Sequence, residues 1–458
     1  MLRRIGIFIS RNGIACIAAL AALVTMALVP PDAAYLGYFD LNTLACLFSL
    51  LAVVRALRNI GFFDAVAKRA IRSFKTLRGL GCALIGLTLV CSMFATNDMA
   101  LLMLLPLSTV ALATTGNERA LPFTFAMQAI AANLGGMILP FGNPQNIFLN
   151  SRFGIPLPDF LGTMAFPFAV SVALIALCCV AGFKPIPLPS PSAPTEGSDA
   201  AAAERPLSSP DDAAPGKPAT PGGSPAESGA SPAAAGGSSV LGVAAKPPAA
   251  APAPGSAASA AAPGAADSRP SRPAPLPKGR TALYLALFAI ALGMVFRIVP
   301  SWAGVAAVLV ALLAADRRAI AHVDWGLLAT FAFFFVFSGN MARIPAVQEF
   351  FQALLAQSTL ITSALASQAI SNVPAAILLA PFSDGYRELL VGVNIGGAGT
   401  LVASLASLIA FNHFRAIKRG MKRPGIAALS TKRYLALFSA LNFGLLAILL
   451  AACLAVGI

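Results

Sequence analysis

Long apolar runs alternate with short polar loops along most of the chain. Several runs are near the roughly 20 residues that cross a bilayer as a helix. Uninterrupted runs lie at residues 12–30, 36–54, 160–183, 281–299, 302–315, 325–342 and 434–456. Longer runs interrupted by polar residues lie at 79–115, 120–149, 357–383 and 386–411. The pattern predicts an all-α polytopic membrane protein of about ten spans, in which 79–115 and 357–383 form re-entrant helical hairpins.

The two predicted hairpins are interrupted by similar polar residues. The segments around their tips align without a gap at an offset of 275 residues. The aligned pairs are Thr96 with Ser371, Asn97 with Asn372, Ala100 with Ala375, and Pro106 with Pro381. We interpret the two prolines as kinks rather than ligands. The alignment predicts that the chain contains two copies of one structural repeat.

A second pair of polar breaks follows the hairpins in the same order. The segments NLGGMILPFGNPQN and NIGGAGTLVASLAS align, which predicts a broken transmembrane helix in each repeat. The aligned pairs are Asn133 with Asn394, Gly135 with Gly396, Gly136 with Gly397, Gly142 with Ala403, and Asn143 with Ser404. Broken backbone at membrane depth must line a cavity or be buried in protein, because lipid cannot satisfy its polar groups. Matched breaks therefore indicate the binding site of a transporter.

The distribution of Lys and Arg predicts that the two repeats have opposite orientations. The loop before the first hairpin, 55–78, is strongly basic, whereas the corresponding loop 344–356 has no Lys or Arg. After the broken spans the bias reverses, since 150–159 is nearly neutral and 415–433 is basic. Basic loops stay in the cytoplasm. We expect an inverted-topology pair in the inner membrane, with the N-terminus cytoplasmic and the C-terminus outside.

Residues 184–277 separate the first repeat, 1–183, from the second, 278–458. This segment is dominated by Pro, Ala, Gly and Ser and has no aromatic residue. Such a composition cannot bury enough apolar surface to offset the entropy of ordering. We predict a disordered cytoplasmic linker that acts as a tether rather than as an interaction tail.

Composition narrows the functional classes. Apolar residues make up 57% and charged residues 11%, with a mean hydropathy of +0.79. The net charge of +14 lies largely in short loops, so we expect no nucleic-acid partner. Seven cysteines without CxxC spacing, and only His322 and His413, indicate neither disulfides nor a metal centre. The segment MLRRIGIFISRN has no clear cleavage site and is interpreted as the start of a retained first helix.

The polar breaks carry the candidate chemistry. Asn, Ser and Thr offer neutral oxygen ligands for a monovalent cation and N–H or O–H donors for an anion. A single Asn or Ser can instead bond two helices, but four matched breaks favour a site. The predicted substrate-binding residues are Asn97, Asn143, Asn372 and Ser404. The predicted ion-coupling residues are Thr96, Asp98, Gly142, Asn146, Ser371 and Ala403. The predicted helix breaks are Asn133, Gly135, Gly136, Asn394, Gly396 and Gly397.

Asp98 distinguishes the first tip from the second, where Val373 occupies the aligned position. An acidic residue inside a membrane segment is costly and marks an ion or proton pathway by default. The alternative is a structural ion pair with Arg297 or Arg343, both near predicted span ends. We favour the coupling role.

The motifs TNDMALLMLLPL, GNPQN, SNVPAAILLAP and GVNIGGAGTLVASLASLIAF resemble those of the ion transporter superfamily. The similarity is to its citrate transporter-like permeases, which include arsenite efflux permeases, sodium/proton antiporters and divalent anion:sodium symporters. In the symporters each tip reads Ser-Asn-Thr, whereas this chain has Thr96-Asn97-Asp98 and Ser371-Asn372-Val373. The Asn-Asp tip is more similar to the arsenite permease and antiporter branches, which implies cation or proton coupling.

Together these features predict a secondary active transporter of a small anion, either an organic carboxylate or an inorganic oxyanion. Coupling to Na⁺ or H⁺ by alternating access is expected, with no other cofactor and no metal beyond Na⁺. Arsenite or antimonite efflux, Na⁺/H⁺ antiport, an ion channel and a polytopic membrane enzyme are the alternatives. No catalytic residue is assigned, so an enzyme is not expected. The expected partners are the substrate and the lipid bilayer, and a homodimer is left open.

The predicted topology can be tested by labelling single cysteines in a variant that lacks the seven natural ones. Gln352→Cys should react with an impermeant maleimide added outside intact cells, because 344–356 is predicted to be external. Ser208→Cys in the linker should react only after the cells are opened. External labelling of Ser208→Cys would contradict the inverted arrangement.

Overall fold

The computed structural model describes residues 13–71, 74–188, 276–421 and 423–458. Within these ranges the protein is helical, and its only extended pairing is an isolated antiparallel bridge between Thr76 and Pro187. The described residues belong to one compact unit. Most of the predicted linker, from residue 189 to residue 275, lies outside the described residues.

Eight helices lie in the described residues up to residue 188. They are α1 (Gly13–Leu28), α2 (Leu41–Asn59), α3 (Phe62–Ile71), α4 (Leu77–Ala95), α5 (Asn97–Thr114), α6 (Leu121–Gly135), α7 (Pro144–Phe153) and α8 (Leu157–Gly182). Polar residues just before two of these helices fix their starts, because the side chains of Asp40 and Thr76 accept hydrogen bonds from the first turns of α2 and α4. The predicted hairpin 79–115 is the pair α4 and α5.

Eleven helices lie in the described residues from residue 276 onward. They are α9 (Lys278–Val295), α10 (Ser301–Ala315), α11 (Arg317–Ala321), α12 (Trp325–Met341), α13 (Pro345–Gln357), α14 (Thr359–Ile370), α15 (Asn372–Leu379), α16 (Arg387–Ile395), α17 (Leu405–Gly420), α18 (Pro424–Ala427) and α19 (Thr431–Ala455). The predicted second hairpin is the pair α14 and α15. A capping serine, Ser358, precedes α14 as Thr76 precedes α4.

Seven of the described segments are long and apolar enough to cross a membrane, and the pair α12 and α13, bent by 98°, adds an eighth. The protein is therefore an all-α polytopic membrane protein. The number of helices that are long enough to cross a membrane is therefore lower than the roughly ten spans predicted from the sequence. The reason is that α1 and α10 are apolar but only 16 and 15 residues long, and that a polar break divides the predicted span 386–411 into the short helices α16 and α17.

The aligned elements of the two repeats make equivalent contacts. The contact of α4 with α6 corresponds to that of α14 with α16, and α5 with α17 corresponds to α15 with α7. The contact of α6 with α19 likewise corresponds to that of α16 with α8. These pairs are what two interlocked copies of one unit produce. The opposite orientation of the copies in the membrane remains a prediction.

Outside the two hairpins, α1 packs along α12. The buried Asn340 amide donates to the Thr25 hydroxyl at 3.1 Å, and Arg343 binds Asp32 through both of its terminal nitrogens, at 3.0 and 2.7 Å. Arg343 also donates to the Tyr38 hydroxyl at 3.1 Å and lowers the pKa of Asp32. These polar contacts set the register between α1 and α12.

The first broken helix depends on a close approach of two glycines. After α6 the chain makes a 3-10 turn at Gly136–Ile138 and enters α7 at Pro144. A Cβ on Gly142 would meet the backbone of Gly136, and a Cβ on Gly136 would meet the Asn143 side chain. Only glycine fits at either position, because the Cβ of any other residue would overlap these neighbouring atoms. We call this close approach of the chain to itself the crossing.

The Gly142→Ala variant should destabilise this crossing. The added methyl group meets backbone, which cannot rotate away, so we expect a loss of about 1–3 kcal/mol in folding stability and impaired transport. Gly162→Ala is the matched control, since nothing lies within 4 Å of a Cβ at that helical glycine. Equal melting temperatures in detergent for the two variants would show that the crossing is not tightly packed.

Candidate functional site

The two hairpin tips adopt the same unusual backbone conformation. Thr96 has φ 63° and ψ 153°, and Ser371 has φ 77° and ψ 152°. Such values are rare for residues other than glycine and cost on the order of 1–3 kcal/mol each, so the surrounding structure must hold them in place. Strain of this kind is concentrated at functional sites. Two aligned residues therefore share a conformation that ordinary helix ends do not use.

The first residue of each returning helix repeats the match. The Asn97 side-chain oxygen accepts a hydrogen bond from the Asp98 backbone N–H at 2.9 Å, and Asn372 does the same for Val373 at 3.0 Å. Neither Thr96 nor Ser371 supplies a side-chain cap to its helix. The N-terminal turns of α5 and α15 thus start with equivalent asparagines.

Both tips line one cavity of about 320 Å³. Residues of the tips in its wall are Asn97, Asp98, Ser371, Asn372, Val373 and Pro374. The remaining described lining residues belong to the starts of α1, α7 and α12 and to α17. Helix N-termini carry partial positive charge, so the first turns of α5 and α15 give this cavity a capacity for anions.

Asn133, at the end of α6, joins the first tip to the second broken helix. Its side-chain oxygen accepts from Asn97 at 3.3 Å and from the Ser404 hydroxyl at 2.6 Å. Its amide nitrogen donates to the Gly397 carbonyl at 3.1 Å. Asn133 is buried, with an exposed fraction of 2%. This one side chain therefore connects three of the predicted breaks.

Asn394 has the aligned role at the end of α16. Its amide nitrogen donates to the Asn146 side-chain oxygen at 2.7 Å and to the Leu390 carbonyl at 2.8 Å. Its oxygen accepts from Asn143 at 3.3 Å and from Gln145 at 3.1 Å. Asn394 of the second broken helix therefore holds the start of α7 in the first broken helix. Asn133 of the first broken helix holds the loop of the second in the same way.

The loop between α16 and α17 is held from the second hairpin. Gln368, three residues before the tip, donates to the carbonyls of Gly396 and Ala398 at 2.8 and 3.1 Å. Its oxygen accepts from the Thr400 backbone N–H at 2.8 Å. At the tip, the Asn372 backbone N–H donates to the Ala403 carbonyl at 3.0 Å. These bonds satisfy backbone that has left the helix.

Asp98 has the least satisfied side chain of the first tip. One of its carboxylate oxygens is buried and has no hydrogen-bond partner among the described residues. The two arginines considered from the sequence are engaged elsewhere, since Arg343 binds Asp32 and Arg297 donates to the Ser151 carbonyl at 2.8 Å. The carboxylate therefore faces the cavity without a basic partner in the described part of the chain.

The predicted site residues fall into two groups. Asn97, Asp98, Ser371 and Asn372 line the cavity. The others form the packed layer behind it and do not border the cavity: Thr96, Asn133, Gly135, Gly136, Gly142, Asn143, Asn146, Asn394, Gly396, Gly397, Ala403 and Ser404. Within that layer Asn143 and Ser404 bond the asparagines that end α6 and α16. A direct contact of Asn143 or Ser404 with substrate remains a prediction.

Sequence reasoning missed several groups at the cavity. Asp324 lines it and also caps α12, where its carboxylate accepts from the Leu327 backbone N–H at 2.9 Å. Thr330 and Asn412 are further polar lining residues. Asp324 lies at a predicted span end, where a charged residue is ordinary, and Thr330 and Asn412 lie outside the aligned segments. No sequence signal separated them from the surface.

The Asn133→Ala variant tests the layer behind the cavity. Removing the amide leaves Asn97 and the Gly397 carbonyl without their partner, and unsatisfied buried groups cost about 1–3 kcal/mol each. We expect the transport rate to fall about 10-fold or more. Asn442→Ala is the matched control, because this equally buried asparagine donates only within α19, to the Phe438 carbonyl. Similar rates for the two variants would contradict the proposed support of the tip.

The chain is similar to several known membrane proteins. It is 26% identical over 380 residues to the inner membrane protein YbiR of Escherichia coli, with 81% of this chain and 79% of that protein covered. It is 24% identical to the transporter MJ0456 of Methanocaldococcus jannaschii over 80% and 79% of the two chains. A shorter match, 30% identical over 30% of this chain and 28% of the relative, is to the silicon efflux transporter LSI3 of rice, Oryza sativa subsp. japonica.

The family comparison covers nearly the whole length. A model of the citrate transporter family matches residues 4–388, which include both hairpins and the first broken helix. The relatives are named as transporters or as a membrane protein, and none of these three as an enzyme. The chain belongs to the citrate transporter family of membrane transporters.

Proposed function

We propose that the protein is a secondary active transporter of the inner membrane that moves a small anion together with Na⁺ or H⁺. The observation that carries the proposal is the meeting of two matched, strained hairpin tips in one cavity. Asn97 and Asn372 would contact the substrate from opposite sides. An organic carboxylate or an inorganic oxyanion has the acceptor oxygens that amides and free helix N–H groups bind.

The charges in the cavity favour cation coupling. Asp98 and Asp324 line it, and its described lining contains no Lys, Arg or His. An anion entering beside two carboxylates is repelled, at a cost that grows as water is excluded. A bound cation or proton at Asp98 removes this repulsion, so the anion and the cation bind favourably only together. That is the thermodynamic requirement for coupled transport.

The cavities also support alternating access. The tip cavity reaches the start of α12 at Asp324 and Thr330, whereas a second cavity of about 470 Å³ borders the end of α12 at Ser338 and Arg343. In the wall of this second cavity the Ser338 hydroxyl donates to the Ile377 carbonyl of α15 at 2.8 Å. Phe331 and Phe334 lie between these two stretches of α12, are buried and line neither cavity, which supports a carrier rather than a channel.

A second candidate function is efflux of an uncharged metalloid hydroxide, such as arsenite or antimonite. The lack of a cationic side chain in the described cavity lining suits a neutral ligand, and one relative is a silicon efflux transporter. Na⁺/H⁺ antiport, the remaining candidate, would use the cavity carboxylates of Asp98 and Asp324.

A thermal-shift screen of the purified protein separates these candidates. Citrate, succinate, sulfate, phosphate and antimonite would each be added with and without sodium. A ligand that binds the folded state raises the melting temperature, and a coupled anion should do so more strongly with sodium or at lower pH. Stabilisation by antimonite alone, independent of sodium and pH, would favour the second candidate and contradict the first.

The Asp98→Asn variant tests the coupling role. The amide keeps the shape of the side chain but cannot bind a proton or carry the charge that attracts Na⁺. We therefore expect substrate exchange in proteoliposomes to persist while uphill uptake driven by the ion gradient falls at least about 10-fold, the effect of losing about 1.4 kcal/mol of coupling free energy.

Asp384→Asn is the control for the loss of one negative charge, since Asp384 is exposed and does not line the tip cavity. It should transport as the unmodified protein does. If Asp98→Asn keeps the ion and pH dependence of uptake, Asp98 is not the coupling group.

A further inference from the structure

A separate cavity of about 740 Å³ lies where α19 begins and the 3-10 turn Glu118–Ala120 leads into α6. Its lining comprises Arg119, Pro122, Pro424, Gly425, Ala428, Leu429, Ser430, Arg433, Tyr434 and Leu437. Two apolar spans, Glu118–Ile138 and Thr431–Ala455, start at this cavity. The cavity is therefore at one end of the membrane-spanning bundle, and no residue of the hairpin tips lines it.

The cavity has basic groups and no acidic lining residue in the described chain. Arg119 and Arg433 are exposed, and their guanidinium groups have no hydrogen-bond or ion-pair partner among the described residues. The nearby Glu118 carboxylate is already engaged by Arg423, at 3.6 Å. Arg423 in turn donates to the Ala113 carbonyl at 2.6 Å. The two lining arginines are thus left with unneutralised charge.

Further donors surround the same opening. Ser430 caps α19 by accepting from the Arg433 backbone N–H, and the first N–H groups of this 25-residue helix carry partial positive charge. Tyr434 lines the cavity and is fully buried against Phe414, with ring centroids 4.3 Å apart. Its hydroxyl has no hydrogen-bond partner in the described residues. This hydroxyl, on a lining residue, is an available hydrogen-bond donor for a bound molecule.

The rest of the wall is apolar. Pro122, Leu429 and Leu437 line it beside the two arginines. A free inorganic anion would gain nothing from these side chains, whereas a lipid would place its phosphate at the arginines and its first acyl carbons against the leucines. Basic pockets between helices at the membrane surface bind anionic headgroups in this way.

We propose that this cavity is a binding site for an anionic phospholipid, with Arg119 and Arg433 contacting the phosphodiester. The lipid bridges the start of α6, which carries the tip-supporting Asn133 at its other end, and the start of α19. Its occupancy would stabilise the contact between these two helices.

The test compares lipids added to the full-length protein in a neutral detergent. Phosphatidylglycerol should raise the melting temperature by roughly 2 °C more than phosphatidylcholine, because a ligand of the folded state stabilises it. Native mass spectrometry should show phosphatidylglycerol retained on the protein. Glycerol 3-phosphate without acyl chains should have no comparable effect at the same concentration.

In the double variant Arg119→Gln/Arg433→Gln, phosphatidylglycerol should raise the melting temperature no more than phosphatidylcholine does. Native mass spectrometry of this variant should show no retained phosphatidylglycerol. The control Lys418→Gln/Lys432→Gln removes the same charge from the half-buried Lys418 of α17 and the exposed Lys432 of α19, neither of which lines the cavity. It should keep both signals. Retention of phosphatidylglycerol by the arginine variant, or equal stabilisation by glycerol 3-phosphate, would overturn the proposal.

Discussion

The structure depends on one constraint, which is that backbone leaving a helix inside the bilayer must find hydrogen bonds within the protein. Side-chain amides meet this need at each break. Asn146 donates to the carbonyls of Gly136, Met137 and Leu139, and Gln368 donates to those of Gly396 and Ala398. Without these amides the two loops would carry unsatisfied carbonyls at membrane depth, and the broken helices would not persist.

The same amides tie the two repeats together. Asn133 of the first repeat donates to a loop carbonyl of the second, and Asn394 of the second donates to Asn146 of the first. Because Asn133 also binds Asn97, the position of one hairpin tip depends on the loop of the other repeat. A cation or substrate that shifts one tip would therefore act on a connected polar layer, which is a physical basis for coupling.

The sequence predicted the helix breaks where both repeats carry matching polar residues. The alignment of Thr96 with Ser371 predicted the breaks, and the structure adds that both residues share a left-handed φ. It could not separate cavity-lining residues from those behind them, because Asn97 and Asn133 look alike as polar residues in apolar runs. Asp324 was missed because its acidity is ordinary at a helix start, and only folding brings it to the tips.

The central claim is that Asn97 and Asn372 bind one substrate between them. Equilibrium binding of the anion that stabilises the purified protein most strongly, measured by calorimetry with the coupling ion present, tests it directly. The account predicts one site per chain and a loss of affinity of about 10-fold or more for both Asn97→Ala and Asn372→Ala, the effect of removing a hydrogen bond to a charged ligand. Unchanged affinity in either variant would contradict a site formed by both tips.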